Sequence, residues 1–193
     1  MVGISDSQRQ ATHAMLIDAF GDLMHEVGVE GTTVTAVAAR VGVARSAFYN
    51  YFDDIPALLH AYVEREMETF ANNRRAELEA ISDPTERLEA FIAGSLHGFR
   101  HHASPLDLAP AVGFNHQIHV EEQLEPVREL VGDIMAAGVE QGAFRSDAAS
   151  PVVVEMLLHA LNSQRLPIAT GTTDPADVTP TMTTTLIAAV RAG

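Results

Sequence analysis

Gly31-Thr32-Thr33-Val34-Thr35-Ala36-Val37-Ala38-Ala39-Arg40-Val41-Gly42-Val43, closed soon after by Phe48-Tyr49-Asn50-Tyr51-Phe52, decides how this chain folds. Thr33 has the side chain of an N-cap, able to accept a free N–H of a helix's first turn. Behind it Val34, Val37, Ala38 and Val41 recur at helical spacing and form one apolar stripe. Gly42-Val43 breaks that helix after about two turns. The segment from Ala44 to Phe52 is rich in aromatics and helix formers; it is expected to bury Phe48 and Phe52 and to present Arg45, Ser46, Tyr49 and Asn50 outward. Upstream, Leu16, Ala19, Phe20, Leu23, Met24 and Val27 recur at three- and four-residue steps with Asp18, Asp22 and Glu26 between them. Gly28 follows where a left-handed C-terminal cap is wanted. Three helices joined by tight turns are a helix-turn-helix candidate. Arg at the start of the third can read guanine, because its fork meets O6 and N7 together. Tyr, Thr and Ser hydroxyls suit phosphate oxygens and fix docking without reading sequence.

These spaced positions resemble the DNA-binding signature of the TetR/AcrR family of transcriptional regulators. The agreement lies in the Thr-Thr before helix two, Ala-Ala within it, Gly-Val in the turn and Tyr-x-x-Phe closing helix three, with Leu58-Leu59 soon after. It covers roughly residues 10–65. The resemblance implies an all-α fold of about nine helices: a three-helix DNA-binding domain over 1–53 and a helical ligand-sensing and dimerisation domain over 54–193. It assigns DNA contact to Thr33, Arg45, Ser46, Ala47, Tyr49, Asn50 and Tyr51. It implies a repressor released from a pseudo-palindromic operator by a small molecule that tilts the helix beginning near Ile55. The alternative is a small-molecule or metal-binding protein of the same fold that has lost DNA binding. Three positions depart from the family. Ala44 stands where Ser or Thr caps helix three, Ala47 where Thr is frequent, and Ile55 where a Lys commonly opens helix four. Residues 1–56 hold three Arg against seven acids, a net of 3 − 7 = −4. DNA binding is therefore expected to be weak and salt-sensitive, resting on Arg45, Arg40 or Arg9 and on two subunits acting together.

Further helices are expected along the rest of the chain. One starts at Asp54, with Pro56 in its first turn, and runs from about Ile55 to Ala80. Asp83-Pro84-Thr85-Glu86 resembles a capping box opening a helix with Leu88, Phe91, Ile92, Ser95, Leu96 and Phe99. Residues 101–116 are less regular. A long helix is expected over Val120 to Gln141, another after Ser150-Pro151, and a last one opening at Thr179-Pro180. The resemblance pairs the last two with a second copy, through Val153, Met156, Leu157, Leu161, Met182, Leu186 and Val190. Between the ends, Met67, Phe70, Phe91, Phe99, Phe114, Met135 and Met156 could line an apolar pocket, with His116 and His159 to orient a ligand; Met and Phe at helical spacing are more readily explained as ordinary core. His97 and His101 are four apart, and His116 and His119 three apart, spacings at which imidazoles can share a metal. Polar ligand contacts, a pH response or plain surface positions explain them as well.

Composition sets the outer limits. The 193 residues are 47% hydrophobic, enough for a real core. No run of eighteen apolar residues appears, and the first residues lack a secretory pattern. There is no cysteine, which removes disulfides and thiolate metal sites and fits a cytoplasmic setting. All 12 basic residues are Arg against 26 acids, a net of −14, so bulk charge opposes a nucleic-acid partner. No HExxH, phosphate-binding glycine loop or nucleophile elbow is present; the expectation is a regulator without catalytic activity or cofactor.

Overall fold

The computed structural model describes residues 6–100 and 124–193. They are all-helical: α1 Asp6–Gly31, α2 Val34–Val41, α3 Arg45–Phe48, α4 Ile55–Leu78, α5 Pro84–Gly98, α6 Glu125–Glu140, α7 Pro151–Asn162, α8 Arg165–Ala169 and α9 Pro175–Val190. They divide into two compact units within α4, one ending at Glu66 and one resuming at Met67. The sequence placed its boundary before that helix, at residue 53.

In the first unit α1 buries Leu16, Ile17, Ala19, Phe20, Leu23 and Met24, while Val27, expected on that stripe, is 54% exposed. Gly28 takes φ +72°, a left-handed value that interrupts α1. Thr32 is buried and donates its hydroxyl to the Gly28 carbonyl at 2.8 Å. Gly21 lets α4 approach closely: a Cβ there would stand 2.7 Å from Tyr62 Cε2. Asp54 caps α4 by accepting the Ala57 N–H at 2.8 Å.

The second unit is a helical core. α5 packs against α6 and α9, and α6 against α7. Leu88, Phe91, Ile92, Leu96, Val131, Ile134 and Met135 fill its centre. Asp83 accepts the N–H groups of Thr85 and Glu86 at 2.8 and 2.9 Å and so fixes the start of α5. Gly138 makes room for the Phe144 ring, which a Cβ would strike. Arg128 on α6 donates to Glu155 on α7 and, at 2.9 Å, to Glu125. The last helix begins a turn earlier than expected, at Pro175, because Asp174 caps it by accepting the Ala176 N–H at 2.9 Å; Pro180 lies inside it. The expected start of the helix over Val120 to Gln141 lies outside the described residues. Among the described residues no helix is long and apolar enough to cross a membrane.

Candidate functional site

The helix-turn-helix forms as its residues dictate. Thr33 is extended (φ −110°, ψ 157°) and its hydroxyl accepts the Ala36 N–H at 3.2 Å. Gly42 closes α2 at φ +78°, ψ 25°, a left-handed conformation that a Cβ would disfavour. The next N–H, of Val43, returns to the Ala38 carbonyl at 2.9 Å, so the turn is tied to the helix it leaves. α3 is shorter than the expected Ala44–Phe52 segment. Ala44 has cap-like geometry (φ −66°, ψ 144°) but no side chain to cap with. After Phe48 the backbone tightens, with Asn50 N–H on the Ala47 carbonyl at 3.1 Å and Tyr51 N–H on Phe48 at 2.9 Å. These three-residue bonds end the α-helix and leave Tyr49 to Tyr51 in a turn.

Phe48 and Phe52 are buried, their rings 5.9 Å apart, and His13 of α1 stacks on Phe52 at 4.7 Å. That apolar seat holds the outward residues in place. Arg45, Ser46, Tyr49 and Asn50 are exposed, Ala47 and Tyr51 half-buried, and Thr33 exposed at the head of α2. Arg45 donates to the Tyr49 hydroxyl at 3.4 Å, one helical turn on. Arg9 reaches from α1 to the Asn50 carbonyl at 3.4 Å. Arg40 is engaged elsewhere: its guanidinium grips the Glu26 carboxylate at 3.1 and 2.6 Å. That hydrogen-bonded pair holds the Glu26 carboxyl below its ordinary range. Arg40 is thus less available to DNA than the sequence suggested. Nothing in the sequence marked the Glu26–Arg40 pair, since its partners belong to different helices. Gly21, a glycine inside an amphipathic helix, was a readable sign of close approach.

Of the residues expected to line a pocket, five of the described ones gather in or against one core cluster. Phe91 and Met135 are buried core, and Met67, Phe70 and Phe99 pack against it. Met156 and His159 are exposed, which removes both from an enclosed pocket. Phe114 and His116 lie outside the described residues. A cleft of about 500 Å³ is lined by other residues, among them Asn72, Arg75, Leu78, Arg87, Leu130, Asp133 and Ile134. Of the histidines considered for metal, His97 is exposed on α5 with Nδ1 at 2.9 Å from the Ala93 carbonyl; His101, His116 and His119 lie outside the described residues. Among the described residues no group of three potential ligands is placed to hold a metal.

The residues expected at a dimer interface separate by burial. Leu157 (2%), Leu161 (3%) and Val190 (2%) belong to the protomer's own core and cannot meet a partner face to face. Met182, Leu186 and Val153 are half-buried. Val152 (68%) and Met156 (67%) project outward from α7. A four-residue step puts these two on one face; Met156 is among the residues expected at an interface, and Val152 is not.

A capped α2, a glycine turn and a short α3 seated on aromatics, followed by a helical second unit, define a helix-turn-helix regulator architecture. Residues 16–62 match the family described as bacterial regulatory proteins, tetR family. The chain is 33% identical over 96 residues to the HTH-type transcriptional regulator BetI of Serratia proteamaculans, covering 49% of this chain and 46% of that protein. It thus spans about half the length of the curated relatives it matches. A TetR transcription regulator from Haloarcula marismortui superposes with a TM-score of 0.73 at 17% identity, over 94% of this chain and 99% of that one. Thermus thermophilus FadR, a TetR-family repressor solved with lauroyl-CoA, gives 0.71 at 20% identity, over 91% and 93%. Both share the fold. Over residues 16–62 the chain is thus similar to the tetR family of bacterial regulatory proteins, and over about half its length to BetI.

Proposed function

We propose that this chain is a ligand-responsive transcriptional regulator, a cytoplasmic homodimeric repressor that leaves a pseudo-palindromic operator when a small molecule binds its second unit. The observation that carries this reading is the exposed Arg45 at the first position of α3, on a helix-turn-helix whose turn, cap and aromatic seat are all formed. Arg45 enters the major groove and reads guanine. Thr33, Ser46, Tyr49, Asn50 and Tyr51 hold the phosphates, with Arg9 beside them. Ala47 offers only its methyl, to a thymine or to nothing.

The ligand half of the reading is supported by the likeness to Thermus thermophilus FadR, solved with lauroyl-CoA. α4 gives its first part to the DNA-binding unit and its remainder to the second, so a ligand that prefers one placement of α4 changes the population competent for DNA. The chain's role is regulatory, not catalytic. A second copy seats on the outward face of α7, at Val152 and Met156. Mobility shift on DNA flanking the protein's own coding region tests the reading. A retarded complex with the unaltered protein and none with Arg45→Ala, both dimeric, is expected. Equal retardation by both would remove Arg45 from the interface.

A further inference from the structure

The cleft of about 500 Å³ lies wholly within the second unit, where the end of α4, the start of α5 and the middle of α6 meet. That volume falls within the roughly 300–1,000 Å³ of small-molecule sites. Three of the residues that line it, Leu78, Leu130 and Ile134, are apolar and buried. The others include charges of both signs: Arg75 on α4, Glu79 just past its end, Arg87 on α5 and Asp133 on α6.

These charges do not close on one another. Arg75 stands 3.8 Å from Asp133 and 3.5 Å from the Asn72 amide oxygen, both long contacts. Glu79 follows Arg75 by one helical turn, yet among the described residues its carboxylate has no cation within reach. Arg87 donates Nε at 2.8 Å, and also Nη2, to the Ile81 carbonyl. Neither bond uses Nη1, and among the described residues Arg87 has no carboxylate partner. One cleft thus holds an unpaired cation and an unpaired anion beside apolar surface. A ligand carrying only a carboxylate would meet Glu79 and Asp133 as like charges, and one carrying only an amine would meet Arg75 and Arg87. A molecule with both charges and an apolar side chain satisfies all three parts.

We propose that this cleft binds an apolar amino acid as its zwitterion. Arg87 Nη1, with Arg75 beside it, takes the carboxylate in charge-assisted bonds. Glu79 and Asp133 take the ammonium. Leu78, Leu130 and Ile134 receive the apolar side chain. This rests on the proposed ligand-responsive function and names the chemical class of its ligand.

The test uses the full chain with leucine and phenylalanine as probes, followed by calorimetry and thermal melting. Three controls each remove one part: isocaproate lacks the ammonium, isoamylamine the carboxylate and glycine the apolar side chain. Leucine or phenylalanine is expected to bind and raise Tm, and every control to bind at least about tenfold more weakly. Glu79→Gln, at an exposed position without a partner, is expected to leave the Tm of the free protein unchanged and to weaken amino-acid binding about tenfold, with no loss for isocaproate. Arg87→Gln is expected to weaken binding too, but with a lower Tm because it releases the Ile81 carbonyl, so Glu79→Gln decides. Binding of neither amino acid, equal binding of isocaproate or isoamylamine, or undiminished binding by Glu79→Gln overturns the site. Amino-acid binding that leaves operator affinity unchanged would keep the site and contradict the proposed regulation instead.

Discussion

Arg45 stands at the head of α3, where the proposed reading has a guanidinium meet base edges, and its bond to Tyr49 is long enough, at 3.4 Å, to be given up for a guanine. Replacing it with alanine should cost about 1–3 kcal/mol of operator affinity and relax preference at one base pair per half-site, read by titrated mobility shift on operator variants. One residue earlier, Ala44 leaves the first N–H groups of α3 without a side-chain acceptor. Ala44→Ser should add about 1 kcal/mol to the stability of the DNA-binding unit, seen as a higher Tm; an unchanged Tm would mean solvent already satisfies those groups. Gly21 shows the opposite limit. A methyl there meets the buried Tyr62 ring, which cannot swing away, so Gly21→Ala should lose about 1–2 kcal/mol in chemical denaturation despite alanine's better helix propensity.

At the scale of elements, α1 and α2 are tied by Glu26 and Arg40. The guanidinium beside Glu26 lowers its folded pKa below the unfolded one. The sign follows: the tie contributes above the ordinary carboxylate pKa and is lost as pH falls through the depressed folded value. Melting across the acid range should therefore show Glu26→Gln losing less stability on acidification than the unaltered protein. Parallel pH profiles would show the pair to be too solvated to matter. The same elements show what the sequence could tell. α2 was legible end to end because Thr33 and Gly42 are local signals acting on their own backbone. The caps at Asp54 and Asp83 were legible for the same reason. The length of α3 was not, since its early end comes from three-residue bonds after Phe48 that no residue type announces. The start of α9 was misplaced because two prolines compete for the first turn, and Asp174 decides between them. On α7 Met156 was expected at an interface and Val152 was not, because its apolar residues cover more than half the helix, so periodicity alone does not tell core from partner face.

On the scale of the whole molecule, a net charge of −14 repels DNA at a distance, so affinity must come from few cations acting twice. In the proposed dimer, two-fold symmetry would supply the doubling and place two α3 segments about 34–36 Å apart, one helical turn of DNA. A charge on the outward face of α7 should break the pair and leave the protomer folded. Met156→Glu, at a position 67% exposed, should sediment as a monomer with an unchanged Tm and lose operator retardation; a dimer of undiminished affinity would move the interface elsewhere. The most direct measurement is footprinting of the unaltered dimer on the DNA flanking its own coding region, at low salt and with salt then raised. Two protected half-sites one helical turn apart, fading steeply with salt and absent with Arg45→Ala, are expected. No protection at low salt from a protein shown to be dimeric would contradict the assignment of this helix-turn-helix to DNA.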